Sequence, residues 1–299
     1  MHHHRVISSK KLLFSIIVIS IIFLVELIGS ILTNSLALLG DAGHMLTDLF
    51  ALFISFLAIR LAGRPPTKMR TFGFYRFEIL AALFNGLLLL LIAIYIFYRS
   101  YFRLLNPEPV VGLGLTMVAT IGLVANIFVL FLLKSETKDS INVRAAAFHV
   151  LSDTISSVAV LVTGLLITFT GLLILDPIIG ITIGIIIIYG AFRIIIEATE
   201  VLLEATPGDI DPARVSEKIT TIDGVNGIHH LHIWSITSDI RMLSAHIEIS
   251  DQMVSKANEI TAEINRRLKE DFDIEHTTIQ IECERCQEDI FCQEGECPN

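Results

Sequence analysis

Cysteine is absent from the first 282 residues of this chain, and all four cysteines lie between residues 283 and 297. A metal site elsewhere in the chain must therefore use nitrogen and oxygen ligands. The chain also lacks a Gly-x-x-x-x-Gly-Lys-Ser/Thr phosphate loop and a His-Glu-x-x-His motif. The first absence disfavours a nucleotide-driven pump and the second disfavours a zinc protease, so we do not expect an enzyme.

Charged residues are scarce, at 18% of the chain, whereas hydrophobic residues make up 53% and the mean hydropathy is +0.68. Because soluble domains average about 25% charged residues, we predict a multi-pass α-helical membrane protein with no nucleic-acid partner. Six apolar stretches each reach the ~20 residues that a helix needs to cross a lipid bilayer. They cover approximately 11–32, 36–61, 78–101, 110–133, 144–169 and 172–196. The sequence therefore predicts six transmembrane helices.

Lys and Arg are nearly absent from one set of connecting loops. The opposite set, with the amino terminus, holds 11 basic residues, whereas the depleted loops hold only Arg99 and Arg103. The positive-inside rule therefore places both termini in the cytoplasm. The predicted segments are a cytoplasmic amino-terminal tail (1–10), a six-helix membrane domain (11–203), a cytoplasmic domain (204–282) and a Cys-rich tail (283–299).

One short pattern occurs twice within the apolar stretches, as His44-x-x-x-Asp48 and His149-x-x-x-Asp153. A spacing of four puts each His and Asp on one helix face, one turn apart. A charged residue in the middle of a membrane helix costs roughly 2.5–3.5 kcal/mol on insertion scales, so these residues indicate a function. Together they offer four N/O ligands, the number that a tetrahedral zinc site uses. The alternative is a pair of hydrogen-bonded polar patches that hold the helices together.

The ligand types favour a site that exchanges its metal. Imidazole and carboxylate are harder and weaker ligands than thiolate. Metal binding needs neutral imidazole and ionised carboxylate and so expels protons, and the ordinary histidine pKa of about 6.5 makes this exchange responsive near neutral pH. The same residues can hold metal or protons, which is the chemical requirement for antiport. Asp41 shares the helix face of His44 and Asp48 and is either an orienting residue or a helix-start residue.

The cytoplasmic segment shows the pattern helix, strand, strand, helix, strand, which predicts a small ferredoxin-like α+β (αββαβ) domain with both helices on one sheet face. The predicted elements are 212–222, 228–236, 241–249, 251–269 and 277–282. Its core is small, so we expect a homodimer. Strand alternation places His230 and His232 on one face and His229 on the other, near a strand that bears His246. These histidines are either a metal site or packed and surface residues, and alternation does not decide which of them would bind.

The Cys-rich tail begins with Cys283-x-x-Cys286 and continues with Cys292 and Cys297. A cytoplasmic location argues against disulfides, and the two-residue spacer is typical of zinc-binding thiolates. The alternative is a flexible and weakly metallated tail. Residues 2–4, all histidines, are either a native metal-binding tract or the remnant of an added tag.

Four longer motifs extend these patterns. They are Asn34-Ser-Leu-Ala-Leu-Leu-Gly-Asp-Ala-Gly-His-Met-Leu-Thr-Asp48, Thr71-Phe-Gly-Phe-Tyr-Arg-Phe-Glu78, Ala147-Phe-His-Val-Leu-Ser-Asp153 and His229-His-Leu-His-Ile-Trp-Ser-Ile-Thr237. With them the chain resembles the cation diffusion facilitator family of zinc/proton antiporters, from the first apolar stretch to Glu282. The resemblance implies a homodimer in which each protomer exports cytoplasmic Zn²⁺ in exchange for an external proton by alternating access.

The resemblance also assigns residues. The family's transport-site positions fall on His44, Asp48, His149 and Asp153, a set that resembles its zinc-favouring branch. Its cytoplasmic metal positions fall on His229, His246 and Glu282. By analogy with relatives that carry a Cys tail, Cys283 and Cys286 would share a metal with residues 2–4.

Two departures from the family pattern narrow the expectation. The loop 63–75 contains no histidine, so the additional loop metal site of some relatives is not expected. The link 134–142 is short and has no His-rich insertion, which favours an exporter in a prokaryotic inner membrane. The competing functions are a divalent-cation channel without proton coupling, the same antiport with Cd²⁺, Co²⁺ or Fe²⁺ as main substrate, and a metal sensor that regulates another protein.

Overall fold

The structure is a computed structural model that describes residues 9–62, 67–134, 141–237 and 240–283. Only the backbone is described for residues 9–16, 18, 48, 51–52, 54–62, 129–134, 141–150 and 152. The predicted ligands Cys286 and residues 2–4 therefore lie outside the described residues, and the side chains of Asp48 and His149 do too. The chain divides into two compact units, residues 1–63 with 81–195 and residues 64–80 with 196–299.

Six long helices cover the six apolar stretches. They are α1 (Ser9–Thr33), α2 (Leu36–Ala62), α3 (Arg76–Leu105), α4 (Gly112–Lys134), α5 (Ile141–Thr170) and α6 (Leu175–Leu202). Within the described residues, three stretches are long and apolar enough to cross a membrane: Arg76–Leu105, Asp153–Thr170 and Leu175–Leu202. Two further apolar stretches, Ile19–Thr33 and Gly112–Phe128, are shorter.

Small residues allow the helices of the first unit to approach closely. Helix α4 packs against α5, and α1 packs against α2 and α4. Gly122 on α4 faces α1, where a Cβ atom would collide with Glu26 Oε1. Membrane helices commonly meet through such small residues, because association in lipid depends on close packing and polar contacts.

A buried polar network fixes the start of α2. The carboxylate of Asp176, at the start of α6, accepts hydrogen bonds from the backbone N–H groups of Leu36 (2.9 Å) and Ala37 (3.2 Å). These N–H groups belong to the first helical turn, which has no intrahelical acceptors. Arg103 Nη1 donates to the same carboxylate at 3.0 Å, and the guanidinium also binds Asn34, which has a left-handed backbone (φ 54°) just before α2. The helix that carries the first His-x-x-x-Asp pair is thus anchored to the ends of α3 and α6.

The second unit contains α7 (Pro212–Thr220), β1 (Val225–Ser235), β2 (Arg241–Ile249), α8 (Val254–Phe272) and β3 (His276–Glu282), in the order that the sequence pattern predicts. The sheet order is β1-β2-β3, with β1 antiparallel and β3 parallel to β2. Helix α7 begins where the Asp211 carboxylate accepts the Ala213 N–H at 3.0 Å. An N-cap carboxylate followed by proline at the first helical position is a favoured helix start.

Both helices of this unit cover one face of the sheet. The β2 residues Leu243, Ala245, Ile247 and Ile249 are at most 2% exposed, as the alternation along this strand predicts. They form one hydrophobic cluster with Val215 and Ile219 of α7 and Ile264 and Leu268 of α8. The opposite face of β2 carries His246, which places the histidine cluster away from the apolar core.

Candidate metal sites

In the first unit, one member of each His-x-x-x-Asp pair meets the other. His44 Nε2 on α2 lies 3.1 Å from Asp153 Oδ1 on α5. The two side chains are 32% and 15% exposed, so the pair is partly accessible. Asp48 and His149 belong to the same two helices by their backbone, and their side chains lie outside the described residues. The helical spacing of four places each of them one turn from the contact that is seen.

Asp41 joins the two helices beside this contact. Its carboxylate accepts hydrogen bonds from Ser156 Oγ at 2.8 Å and Ser157 Oγ at 3.2 Å, both on α5 one turn beyond Asp153. Asn126 on α4 donates to Ser157 Oγ at 3.1 Å. Asp41 is thus placed to orient α5 relative to α2. The two serines were not predicted as site residues, although adjacent hydroxyls in an apolar helix were a signal for them.

Glu26 adds a third carboxyl group to this region. Its side chain is only 1% exposed, and Oε2 has no hydrogen-bond partner among the described residues. It lies close enough to Asp41 and Asp153 to interact with them electrostatically. Burial of an acidic side chain in this region costs free energy. The sequence signal for this residue was a single Glu within the first apolar stretch.

In the second unit, Glu282 bridges two histidines. Its Oε2 lies 3.0 Å from His229 Nε2, and its Oε1 lies 2.8 Å from His246 Nδ1. His229 and His246 are direct partners in the β1–β2 register, and Glu282 ends the neighbouring strand β3. The sheet therefore brings together all three residues of the predicted cytoplasmic set.

The environment of this trio suits a metal ion. His229 is 2% exposed, and its Nδ1 has no hydrogen-bond partner among the described residues. Burial lowers the pKa of His246 below its ordinary value of 6.5, and the nearby His230 and His229 lower it further, although Glu282 acts in the opposite direction. Neutral imidazole is the form that binds metal, so this arrangement favours the ligand form.

The predicted alternation of the β1 histidines is wrong. His230 does not share a face with His232. Its ring centroid lies 5.2 Å from that of His229 and 4.7 Å from that of His246. The cause is a break in the strand register between His229 and His232, where His230 has a left-handed backbone (φ 49°). An extra residue at such a bulge changes the direction of side chains that simple alternation assigns.

His232, the remaining predicted histidine of β1, is exposed. Cys283 is exposed and is a free thiol, and its predicted partner Cys286 lies outside the described residues.

Two family models match nearly the whole chain. The model for the cation efflux transmembrane domain matches residues 12–203, and the model for the cation efflux protein cytoplasmic domain matches residues 207–284. The two matches together cover both compact units.

Characterised relatives align over the same length. The cadmium, cobalt and zinc/H(+)-K(+) antiporter of Bacillus subtilis is 40% identical over 98% of this chain and 96% of its own length. The metal cation efflux system protein CzcD of Cupriavidus metallidurans is 39% identical over 96% of this chain and 90% of its own. The zinc transporter ZitB of Pectobacterium atrosepticum is 38% identical over 94% of this chain and 88% of its own. The chain therefore belongs to the cation efflux family of integral membrane proteins, the cation diffusion facilitators that its motifs resemble.

Proposed function

We propose that this protein exports divalent metal, chiefly Zn²⁺, from the cytoplasm in exchange for protons, through a site formed by His44, Asp48, His149 and Asp153. The observation that carries the proposal is the 3.1 Å contact between His44 and Asp153, which are 109 positions apart in sequence. The relatives named as zinc transporter and as cadmium, cobalt and zinc/H(+)-K(+) antiporter support this cargo and its exchange for protons.

The chemistry of exchange follows from the ligand types. A neutral His44 offers a lone pair to metal, and an ionised Asp153 offers a negative oxygen. Protonation of His44 removes that lone pair and converts the contact into an imidazolium–carboxylate ion pair. Protons and metal therefore compete for the same atoms, so proton uptake from the external side favours metal release there. Asp41 keeps the two helices in register through its serine contacts.

The proposal includes the membrane arrangement. Helices α1–α6 each cross the inner membrane of a prokaryotic cell, and both termini lie in the cytoplasm. The 11 basic residues on the predicted cytoplasmic side, against two on the other, support this orientation. The cytoplasmic αββαβ unit is ferredoxin-like and forms a homodimer. The family model for this domain is named for dimerisation, which supports that assembly.

A second metal ion is held in the cytoplasmic domain by His229, His246 and Glu282. The fit is supported by Glu282, whose two oxygens reach His229 Nε2 and His246 Nδ1. Bound there, Zn²⁺ would supply a cross-link between the three strands. Cys283 and Cys286 would bind further metal with residues 2–4.

Flux measurements in liposomes test the transport proposal. Wild-type protein and the Asp153→Ala variant are reconstituted, and Zn²⁺ entry is followed together with internal pH by fluorescent dyes. Zinc-dependent proton movement is expected in the wild type and should vanish in the variant. Asp209→Ala, which removes an exposed carboxylate of the cytoplasmic unit, serves as the matched control and should retain flux. Because one relative's name includes potassium, each assay is run with and without a potassium gradient.

Each outcome has a distinct meaning. Zinc movement without proton movement would favour a channel, since conduction needs a site that releases its ion quickly. Equal flux in Asp153→Ala and wild type would refute the four-residue site. Parallel assays with Cd²⁺, Co²⁺ and Fe²⁺ rank the substrates, because an N/O tetrahedral site accepts several of these ions.

A further inference from the structure

The strand bulge at His230 points to a fourth ligand in the cytoplasmic domain. Three ring nitrogens, one from each of His229, His230 and His246, lie within 4.8 Å of one another. Glu282 contacts two of these three imidazoles at 3.0 Å and 2.8 Å. The cluster thus holds three imidazoles and one carboxylate.

We propose that His230 is a direct metal ligand that completes a closed site with His229, His246 and Glu282. This inference rests on the proposed cytoplasmic metal site and adds its fourth donor. With four protein ligands the site has the tetrahedral number of a zinc site that holds its ion. With three, one position would stay open to water.

The backbone supplies an independent argument. In a regular strand, adjacent residues point to opposite faces, so His229 and His230 would not meet. Between His229 and His232, β1 has one residue more than the facing segment of β2, and His230 has a left-handed backbone. Strand bulges are over-represented at sheet edges and next to active sites, where they redirect a side chain. Here the bulge turns His230 towards His246, with a ring separation of 4.7 Å.

Donor spacing is close to what a metal requires. Tetrahedral bonds of 2.0–2.1 Å place ligand atoms about 3.3 Å apart, whereas the three ring nitrogens lie within 4.8 Å of one another. Binding an ion would therefore need these nitrogens to approach one another by at most about 1.5 Å. His229 Nε2 and His246 Nδ1 already lie 3.0 Å and 2.8 Å from the Glu282 oxygens, so these two nitrogens and the carboxylate are positioned to share one ion.

Cobalt binding to the full-length protein tests this proposal. The background protein carries alanine at His44, Asp48, His149 and Asp153, serine at the four cysteines and alanine at residues 2–4, which removes the other proposed metal ligands. Co²⁺ is titrated in detergent, and the visible absorption distinguishes tetrahedral from higher coordination. The test variant is His230→Gly, because glycine accepts a left-handed backbone without strain. The matched control is His232→Ala, an exposed histidine of the same strand.

We expect one Co²⁺ per chain with a tetrahedral spectrum in the background and in His232→Ala. His230→Gly should lose at least about tenfold in affinity, since even the loss of an outer partner of a metal ligand costs 10–100-fold, and its tetrahedral absorption should weaken. An unchanged affinity and spectrum in His230→Gly would overturn the role of His230. If His246→Ala also binds Co²⁺ like the background, the cytoplasmic site itself is refuted, which separates the two failures.

Discussion

The two units of the chain differ in the side chains that they expose and in the charged residues that they bury. In the helical unit large apolar residues face outward, such as Leu91 at 64% and Tyr189 at 74% exposed, while Arg103 and Asp176 are buried at 3% and 0%. Both units bury an aliphatic cluster, but the charged residues of the cytoplasmic unit lie mainly on the surface. Lipid reverses the usual pattern, because apolar surface gains nothing by leaving lipid and interior polar contacts hold the helices together.

Because of this difference, burial of a polar residue is evidence for a functional role in one unit but not in the other. In the helical unit polar burial is ordinary, so burial alone does not mark a transport residue. The His44–Asp153 pair differs from the Asp176–Arg103 pair in being accessible, at 32% and 15% against 0% and 3%. A transported ion must reach its ligands, whereas a structural anchor is better sealed. In the cytoplasmic unit buried polar residues are fewer, and one of them, His229, lies in the proposed site.

The largest expected effect concerns the buried anchor of α2. Asp176→Ala removes the acceptor of two backbone N–H groups and leaves the Arg103 guanidinium buried without that carboxylate. Breaking a buried pair by removing one partner costs about 3–5 kcal/mol, so thermal unfolding in detergent should occur at a clearly lower temperature. Asp209→Ala, which breaks the exposed Asp209–Arg241 ion pair, should cost below about 1 kcal/mol. Equal shifts would mean that buried polar contacts do not stabilise the helical unit.

A second prediction compares the same substitution in both units. Leu243→Ala in the cytoplasmic core, where the side chain is 1% exposed, should cost about 2–5 kcal/mol through lost burial and a residual cavity. Hydrogen exchange of the β2 amides should rise accordingly. Leu91→Ala on the outer face of α3 should change stability by less than about 0.5 kcal/mol, as surface substitutions do. A large loss for Leu91→Ala would show that this face is covered by protein.

Much of the helical unit was predictable because its signals are local. An apolar stretch long enough to span lipid must form a helix, since its backbone groups have no water to bind, and the helical spacing of four is enough to place His44 and Asp48 on one face. The partner of His44, however, comes from α5, and only the packing of α2 on α5 shows that it is Asp153. The Asp176 anchor joins residues at the ends of three different helices, α2, α3 and α6, so no local pattern indicates it.

The cytoplasmic site was harder to predict for a specific physical reason. Alternation is exact only in a regular strand, and one extra residue reverses the faces that follow it. The choice between His229, His230 and His232 therefore depends on the register with β2. The pattern Leu243, Ala245, Ile247 and Ile249 lies in a strand that keeps its register with β3, and there alternation gives the correct face.

The smallest expected effect lies on the exposed face of α8. Hydrogen bonds from Arg266 and then from Arg267 lower the pKa of Glu263 from 4.5 to about 2. Because the folded value lies below the ordinary one, folding favours the ionised form, and this contribution is present above about pH 4.5 and lost as the pH falls towards 2.

Glu263→Gln should therefore slightly lower the unfolding temperature at pH 7, and the gap from wild type should close as the pH falls through this window. Glu259→Gln, which removes an exposed carboxylate from the same helix, is the control and should lower the unfolding temperature less than Glu263→Gln does. Solvent screens exposed ion pairs strongly, so the effect should be far smaller than that of Asp176→Ala and should shrink further in high salt. If Glu263→Gln lowered the unfolding temperature at pH 7 as much as Asp176→Ala does, surface ion pairs would contribute as much as the aliphatic core to the stability of the cytoplasmic unit.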